Sequence, residues 1–182
     1  MDWNRNFLCN GDFEDPRVPG EWKQYEWIPC WKGNGLIELG WGKIYEPSMK
    51  TQVMELDANK GNKSYKQKFN LENEGKYELK FDYAARIHIP LEESSFIVYF
   101  NGNLVKKVRP TEYGVRTALF TVYGKKGNNI IEFKDNGRTR ESYGGVIDNV
   151  GIFSWKSNSN SVKEIEAVGA GDPVTYSSYY LL

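Results

Sequence analysis

Residues 76–85 alternate between polar and apolar side chains, with Tyr77, Leu79, Phe81 and Tyr83 separated by charged residues. Successive side chains of a β-strand point to opposite faces, so this pattern predicts a strand with one buried face and one face in water. Such strands are typical of antiparallel sheets, whereas strands of a parallel sheet are apolar on both faces. The segment therefore favours an antiparallel sheet over an α/β fold.

Most of the remaining sequence carries similar signals. Short runs of β-branched and aromatic residues are separated by Gly, Asn and Pro, and Asn101-Gly102 between two of them predicts a hairpin. We predict a long loop over 15–34, and strands over 7–12, 36–39, 42–45, 52–56, 64–69, 76–85, 95–100, 104–108, 115–123, 129–133 and 145–155. Because no βαβ rhythm is present, the fold class predicted is all-β, an antiparallel two-sheet sandwich or jelly roll.

The chain of 182 residues suits one such domain, over 1–156. Residues 157–182 are predicted to form a linker and an extended C-terminal tail, beginning within the flexible stretch 156–161. The end of the tail, 174–182, is aromatic and apolar, so we expect it to dock. Docking on its own sandwich and docking on a neighbouring protein subunit both remain open.

The charge balance argues against two classes of partner. There are 24 Lys+Arg and 24 Asp+Glu, without the basic stripe that nucleic-acid binding requires, and no apolar stretch is long enough for a membrane span. The N-terminal residues lack the apolar core of a secretory signal. Localisation stays unknown, since an intracellular protein with a native Met1 and a mature extracellular chain both fit.

Motifs for catalysis are missing from the sequence. The single histidine, His88, has no Gly-x-Ser-x-Gly elbow to accompany it, and no His/Cys cluster has zinc spacing. We therefore expect that the protein is not an enzyme. Two cysteines are too few to define a disulfide framework, and Cys9 lies in an apolar run, so free thiols at Cys9 and Cys30 are favoured over a bridge.

Five segments, in this order along the chain, resemble the galactose-binding-like jelly-roll superfamily of carbohydrate-binding modules, including extracellular bacterial and plant cell-wall members. They are Asn-Gly-Asp-Phe-Glu at 10–14, Gln-Val-Met-Glu-Leu-Asp at 52–57, Phe-Asp-Tyr-Ala-Ala-Arg at 81–86, the hairpin at 96–103, and Gly-Gly-Val-Ile-Asp-Asn-Val at 144–150. The resemblance covers roughly residues 6–154. It implies a galactose-binding-like sandwich and a lectin-like, carbohydrate-binding role.

The resemblance also implies a structural Ca²⁺ ion, because similar modules hold one where their opening and closing strands meet. In this sequence the matching side-chain ligands are Glu14 and Asp148. Two carboxylates that approach without a cation would repel each other, and Ca²⁺ would remove that cost. The alternative is that Glu14 caps a turn before Pro16 while Asp148 bonds to local backbone.

Two functions from different classes follow. The first is a non-catalytic module that binds a polysaccharide or glycan by ring stacking and hydrogen bonds. Its candidate ligand-binding residues are Trp22, Trp27, Trp31, Trp41, Arg86, Arg138 and Tyr143, although any single Trp is more often a core residue. The second is a structural protein, a scaffold subunit of a larger assembly that uses the sandwich and its C-terminal tail for protein contacts.

Overall fold

The computed structural model describes residues 5–58, 63–137 and 143–155, which form two antiparallel sheets packed as a sandwich. The predicted all-β jelly-roll fold is confirmed. The strands are β1 (Trp22–Tyr25), β2 (Lys32–Gly33), β3 (Ile37–Trp41), β4 (Gln52–Glu55), β5 (Ser64–Leu71), β6 (Gly75–Ala84), β7 (Phe96–Phe100), β8 (Asn103–Val108), β9 (Arg116–Gly124), β10 (Gly127–Asp135) and β11 (Val146–Ser154). Short 3₁₀ turns occupy Gly42–Ile44 and Leu91–Ser94.

One sheet has six strands in the order β1-β3-β4-β11-β6-β9, and the other has five in the order β2-β5-β10-β7-β8. The predicted buried and exposed faces of β6 are both present, because Leu79 and Phe81 are fully buried while Lys80 is exposed. Aromatic rings from both sheets fill the space between them. Phe81 meets Phe133 of the opposite sheet edge-to-face at 5.1 Å, a preferred geometry for ring pairs.

Three local predictions are wrong. Residues 42–45 form a 3₁₀ turn and its cap instead of a strand, because the chain leaves the sheet after Gly42 and folds over its outer face. Residues 7–12 lie beside β11 and hydrogen bond to it through Phe7 and Gly11, but they do not form a regular strand. The predicted loop 15–34 contains β1 and β2, whose lengths of 4 and 2 residues are too short for a periodic signal.

The opening segment and the closing strand lie side by side, as the sequence resemblance implied. The N–H of Phe7 donates to the carbonyl of Ile152 at 2.9 Å, and the N–H of Val150 donates to the carbonyl of Gly11 at 2.8 Å. The chains approach so closely at the second contact that a Cβ on Gly11 would overlap the Val150 carbonyl oxygen. Glycine is therefore required at position 11 by packing against β11.

Cys9 and Cys30 form a disulfide, with Cα atoms 6.1 Å apart, so the prediction of free thiols is wrong. Their sequence separation of 21 gives no local signal of this proximity. Trp31 inserts into the core and its indole N–H donates to the carbonyl of Asn10 at 2.9 Å, while the Asn10 amide donates to the carbonyl of Pro29 at 3.2 Å. These contacts bring the 28–31 loop against the opening segment.

No helix in the described ranges is long and apolar enough to cross a membrane. The predicted tail, 157–182, lies outside the described residues.

Gly11→Ala should lower the free energy of unfolding by roughly 2 kcal/mol, because the added methyl group must push the opening segment away from β11. Gly20→Ala is the matched control, since no atom lies within 4 Å of the added Cβ there. Urea unfolding of both variants measures the difference. Equal stabilities would show that the contact with Val150 does not constrain position 11.

Candidate functional site

Strand register places several loops at one end of the six-stranded sheet. Tyr25 pairs with Ile37, and Val146 pairs with both Glu55 and Ala84. Each of these residues is at the end of its strand, so the loops that connect these strands lie at the same end of the sheet. We call this end the loop rim, formed by residues 26–31, 85–95, 109–115 and 143–145. Three large rings are exposed on it, Trp27 (71%), Tyr113 (49%) and Tyr143 (45%).

Arg86 is at the centre of the loop rim, between two tyrosine rings. Its guanidinium carbon lies 4.7 Å from the centroid of the Tyr143 ring and 5.2 Å from that of Tyr45. Its Nη1 donates to Oε1 of Glu55 at 2.5 Å, and the backbone N–H of Gly144 donates to the same oxygen at 3.0 Å. The ion pair and the cation–π contacts together fix the position of the Tyr143 ring.

Glu55 and Tyr45 support Arg86 from below. Glu55 is fully buried, and its burial raises the pKa of the carboxyl, as does neighbouring Glu38, while Arg86 opposes both effects. The Tyr45 ring lies over Gly40, so closely that a Cβ on residue 40 would overlap the phenol. The Tyr45 hydroxyl donates to Oε1 of Glu38 at 2.9 Å. Burial raises the pKa of Tyr45, so the phenol stays protonated as a donor.

Sequence reasoning missed Tyr45 and Glu55 as supporting residues. A signal for Tyr45 was present in Gly40, because a glycine within a strand marks close approach of another group. The signal for Glu55 was weaker. Glu55 takes an outward position in the alternating strand 52–56, where a carboxylate is ordinarily solvated, so the pattern did not predict its burial. Its partners Arg86 and Gly144 come from distant parts of the chain.

The predicted ligand-binding residues divide into separate groups. Arg86 and Tyr143 are brought together at the loop rim, and Trp27 is exposed at the β1 side of the same rim. Trp22 is 54% exposed on β1, opposite Gly40. Arg138 lies outside the described residues.

Trp31 and Trp41 are placed differently. Trp31 is 1% exposed between Phe13 and Phe133, so the prediction that it stacks on a ligand is wrong and it is a core residue. Trp41 is half-buried against the core, with the Arg17 guanidinium 5.2 Å from its ring centroid. Arg17 therefore takes the position over the Trp41 ring that a sugar would need.

A second group of buried acids lies behind Arg86. Asp57 and Asp135 are fully or almost fully buried, with Glu93 close to both. Neither carboxylate oxygen of Asp57 has a hydrogen-bond partner in the described part of the chain. Burial, and after it the charge of Asp135, raises the pKa of Asp57 to about 7. Burial also raises the pKa of Asp135 to about 7, although the backbone hydrogen bonds from Gly137 and Asn136 lower it.

Glu14 and Asp148 lie near each other on the outer face of the six-stranded sheet, away from the loop rim. Oε1 of Glu14 accepts from the backbone N–H of Gln52 at 2.8 Å, and Oδ2 of Asp148 accepts from the Thr51 hydroxyl at 2.8 Å. Asp148 is 3% exposed, and burial, followed by the charges of Asp82 and Glu14, raises its pKa to about 7. Across residues 5–58, 63–137 and 143–155, no three acidic, His or Cys side chains are grouped to hold a metal.

Comparisons with protein-family models and with curated proteins found no match. Among solved structures, the family 61 carbohydrate-binding module TmCBM61, in complex with β-1,4-galactotriose, matches 83% of this chain and 99% of its own, with a TM-score of 0.55 and 17% identity. The chain therefore shares the jelly-roll β-sandwich fold of this module.

Two further structures match. The arabinose-bound MgGH51 α-L-arabinofuranosidase matches 81% of this chain and 26% of its own, with a TM-score of 0.50 and 9% identity. A family 35 carbohydrate-binding module from Clostridium thermocellum matches 75% of this chain and 100% of its own, with a TM-score of 0.48 and 20% identity. Matches of this kind thus include a binding module over almost its whole length and part of a larger arabinofuranosidase chain.

Asp57→Asn should raise the free energy of unfolding at pH 8, on the order of 2 kcal/mol. With a pKa of about 7, the native carboxyl stays protonated while the unfolded one ionises near pH 4, so stability falls between about pH 4 and pH 7. Because Asn does not ionise, the variant lacks this contribution, and its free energy of unfolding should fall less between about pH 4 and pH 7. Urea unfolding from pH 4 to pH 8, with the exposed Asp12→Asn as control, tests it. A loss of stability at pH 8 would mean that Asp57 is ionised and stabilised.

Proposed function

We propose that the protein is a non-catalytic carbohydrate-binding module that binds a glycan at the loop rim. The observation that supports this most is the stack of Tyr45, Arg86 and Tyr143, which holds a 45% exposed ring in a fixed position. The fold shared with TmCBM61, solved with β-1,4-galactotriose, supports the same class of ligand. Fold alone does not determine function, so the proposal depends on the site.

The rim has the two kinds of group that a sugar needs. The face of a pyranose ring that carries C–H groups packs on an aromatic ring, and Tyr143 offers one whose position is fixed. Arg86, with 24% of its side chain exposed, has guanidinium N–H groups beyond the one bound to Glu55 for sugar hydroxyls. Because Arg86 is already held in place, little side-chain entropy is lost when these bonds form.

Two buried carboxylates beneath the rim, Glu55 and Asp57, cannot serve as a hydrolytic pair. A glycosidase needs two carboxyl groups that flank the scissile bond. Glu55 and Asp57 are fully buried, and Glu55 is paired with Arg86, so neither reaches a bound sugar in this conformation. The scaffold alternative relied on the tail, which lies outside the described residues, and the structural matches do not favour it.

Tyr143→Ala should weaken glycan binding at least tenfold, or about 1.4 kcal/mol, because the stacking surface is lost. Tyr143→Phe keeps the ring and should bind within about threefold of the native chain. Tyr123→Ala, which removes a 62% exposed ring from the opposite end of the sandwich, is the matched control. Calorimetric titration with galactose, xylose, mannose and glucose oligosaccharides, β-1,4-linked, measures the affinities.

Two outcomes would contradict this proposal. The first is that none of these sugars binds the native chain. The second is that Tyr143→Ala binds as well as the native chain does, which would place the glycan elsewhere on the sandwich.

We also propose that Glu14 and Asp148 hold a structural Ca²⁺ ion. Their donors fit this hard cation, which prefers carboxylate and carbonyl oxygens. Burial, followed by the charges of Asp82 and Glu14, raises the pKa of the Asp148 carboxyl, and a divalent cation between Glu14 and Asp148 would favour their charged forms. The ion would link the segment after the opening turn to the closing strand.

Addition of Ca²⁺ should raise the melting temperature by several degrees relative to chelator, because an ion that binds only the native state stabilises it. Glu14→Gln should abolish the increase, while Glu26→Gln, at an exposed site on the loop rim, should keep it. Scanning calorimetry of the three proteins provides the test. Equal melting temperatures of the native chain with and without Ca²⁺ would contradict the proposal.

A further inference from the structure

The outer face of the six-stranded sheet buries two glutamates side by side. Glu38 of β3 lies directly opposite Glu55 of β4, and their exposed fractions are 8% and 0%. Like charges directly opposite each other destabilise a sheet, and burial increases the cost of each charge. Among the ion pairs of the described residues, only that of Arg86 with Glu55 reaches the two carboxyls. One positive charge therefore faces two acids.

The hydrogen bonds to the carboxyl oxygens show where a proton is needed. Oε1 of Glu38 accepts from the Tyr45 hydroxyl at 2.9 Å, and Oε2 of Glu38 accepts from the Gln24 amide at 3.1 Å. Oε1 of Glu55 accepts from Arg86 at 2.5 Å. Oε2 of Glu55 is buried, and no N–H or O–H group of the described residues donates to it. The Glu38 carboxyl is within hydrogen-bond reach of the Glu55 carboxyl, and two carboxyls form a hydrogen bond only when one of them is protonated.

We propose that Glu38 and Glu55 share one proton, held between Oε2 of Glu55 and the Glu38 carboxyl, and that Glu38 is thereby a positioning residue for Arg86. The pair then carries a single negative charge, which the guanidinium balances. The bond to Glu38 also turns Oε1 of Glu55 toward Arg86 and the N–H of Gly144, which hold the Tyr143 ring in place. The importance of that ring for a glycan rests on the proposed function.

The groups around the pair are consistent with one shared proton. Tyr45, at the end of the first 3₁₀ turn, and Arg86, which follows β6, are the titratable side chains that face it, and Tyr143 lies beyond Arg86. Burial, and after it the hydrogen bond with Glu38, raises the pKa of Glu55 well above its usual range, while Arg86 lowers it. Two carboxyls in one site ordinarily keep one proton between them. The proton should therefore be retained at neutral pH.

Carbon NMR of the chain with ¹³C-labelled glutamate tests for the proton directly. Ordinary glutamates are ionised at about pH 7, so one protonated side-chain carboxyl should stand apart from the others. Its signal should be absent from Glu55→Gln. The buried aspartates do not interfere, because the label is confined to glutamate. A spectrum in which every glutamate carboxyl is ionised at about pH 7 would overturn the proposal.

Thermal unfolding of glutamine variants tests the charge of the pair. Glu55→Gln keeps an acceptor for Arg86 and places an amide N–H where the proton lies, so its melting temperature should stay within about 3 °C of the native value. Glu38→Gln should be tolerated equally, because the remaining Glu55 still balances Arg86. The double variant leaves Arg86 without a counter-charge and should lose about 10 °C, far more than the sum of the single changes. Glu21→Gln, at an exposed site, is the control.

A loss of about 10 °C in Glu55→Gln alone would overturn the proposal, because it would mean that Glu55 is fully ionised in the native chain and that the variant leaves a buried cation unpaired.

Glycan titration tests the positioning role. Glu38→Ala leaves Oε2 of Glu55 without a partner and should weaken binding at least about fivefold. Glu38→Gln, whose amide donates to Oε2, should restore the affinity to within about twofold of the native value. Equal affinities of the native chain and Glu38→Ala would overturn the positioning role. If no glycan binds the native chain, the proposed function fails, whereas the NMR and melting results still decide whether the proton is shared.

Discussion

The opening segment of the chain is hydrogen bonded to the closing strand in the middle of the six-stranded sheet. β11 pairs with β4 only through Val146 and Ile147, and beyond them the segment around Gly11 takes over the side of β11 that β4 has left. The fit is tight enough to exclude any side chain at position 11. The opening segment and the closing strand are thus hydrogen bonded to each other, and β11 has partners on both sides, with a register shift against β6 between Asp148 and Gly151.

The same strand connects this closure to the candidate site. The chain enters β11 through Tyr143 and Gly144, whose N–H donates to the buried carboxylate of Glu55. Arg86 follows β6, the other neighbour of β11, and pairs with that carboxylate while stacking on Tyr143. Because both elements are fixed in the sheet, the exposed ring is held by backbone rather than by a mobile loop alone. Binding surfaces on a rigid scaffold need little ordering when a ligand arrives.

The sequence predicted the fold well and the candidate site in part. Alternation in 76–85 and the five ordered segments required only local patterns, and both sheets follow from them. Arg86 and Tyr143 were predicted separately, and the structure shows that they touch. The burial of Glu55 beside Arg86 and the disulfide between Cys9 and Cys30 could not be predicted, because each depends on residues far apart in sequence, whereas Gly40 carried a local signal for the placement of Tyr45. Exposure of a single Trp is equally a tertiary property, as Trp31 and Trp27 show.

The proposed function requires that a glycan binds at the loop rim. The most direct measurement is an NMR titration of the ¹⁵N-labelled chain with whichever β-1,4-linked oligosaccharide binds most tightly. The largest amide shift changes should fall in 26–31, 85–95 and 143–145, around Arg86 and Tyr143. Changes confined to the outer face of the five-stranded sheet, around Lys66, Lys68 and Tyr99, with the rim unaffected, would show that the glycan does not bind at the rim.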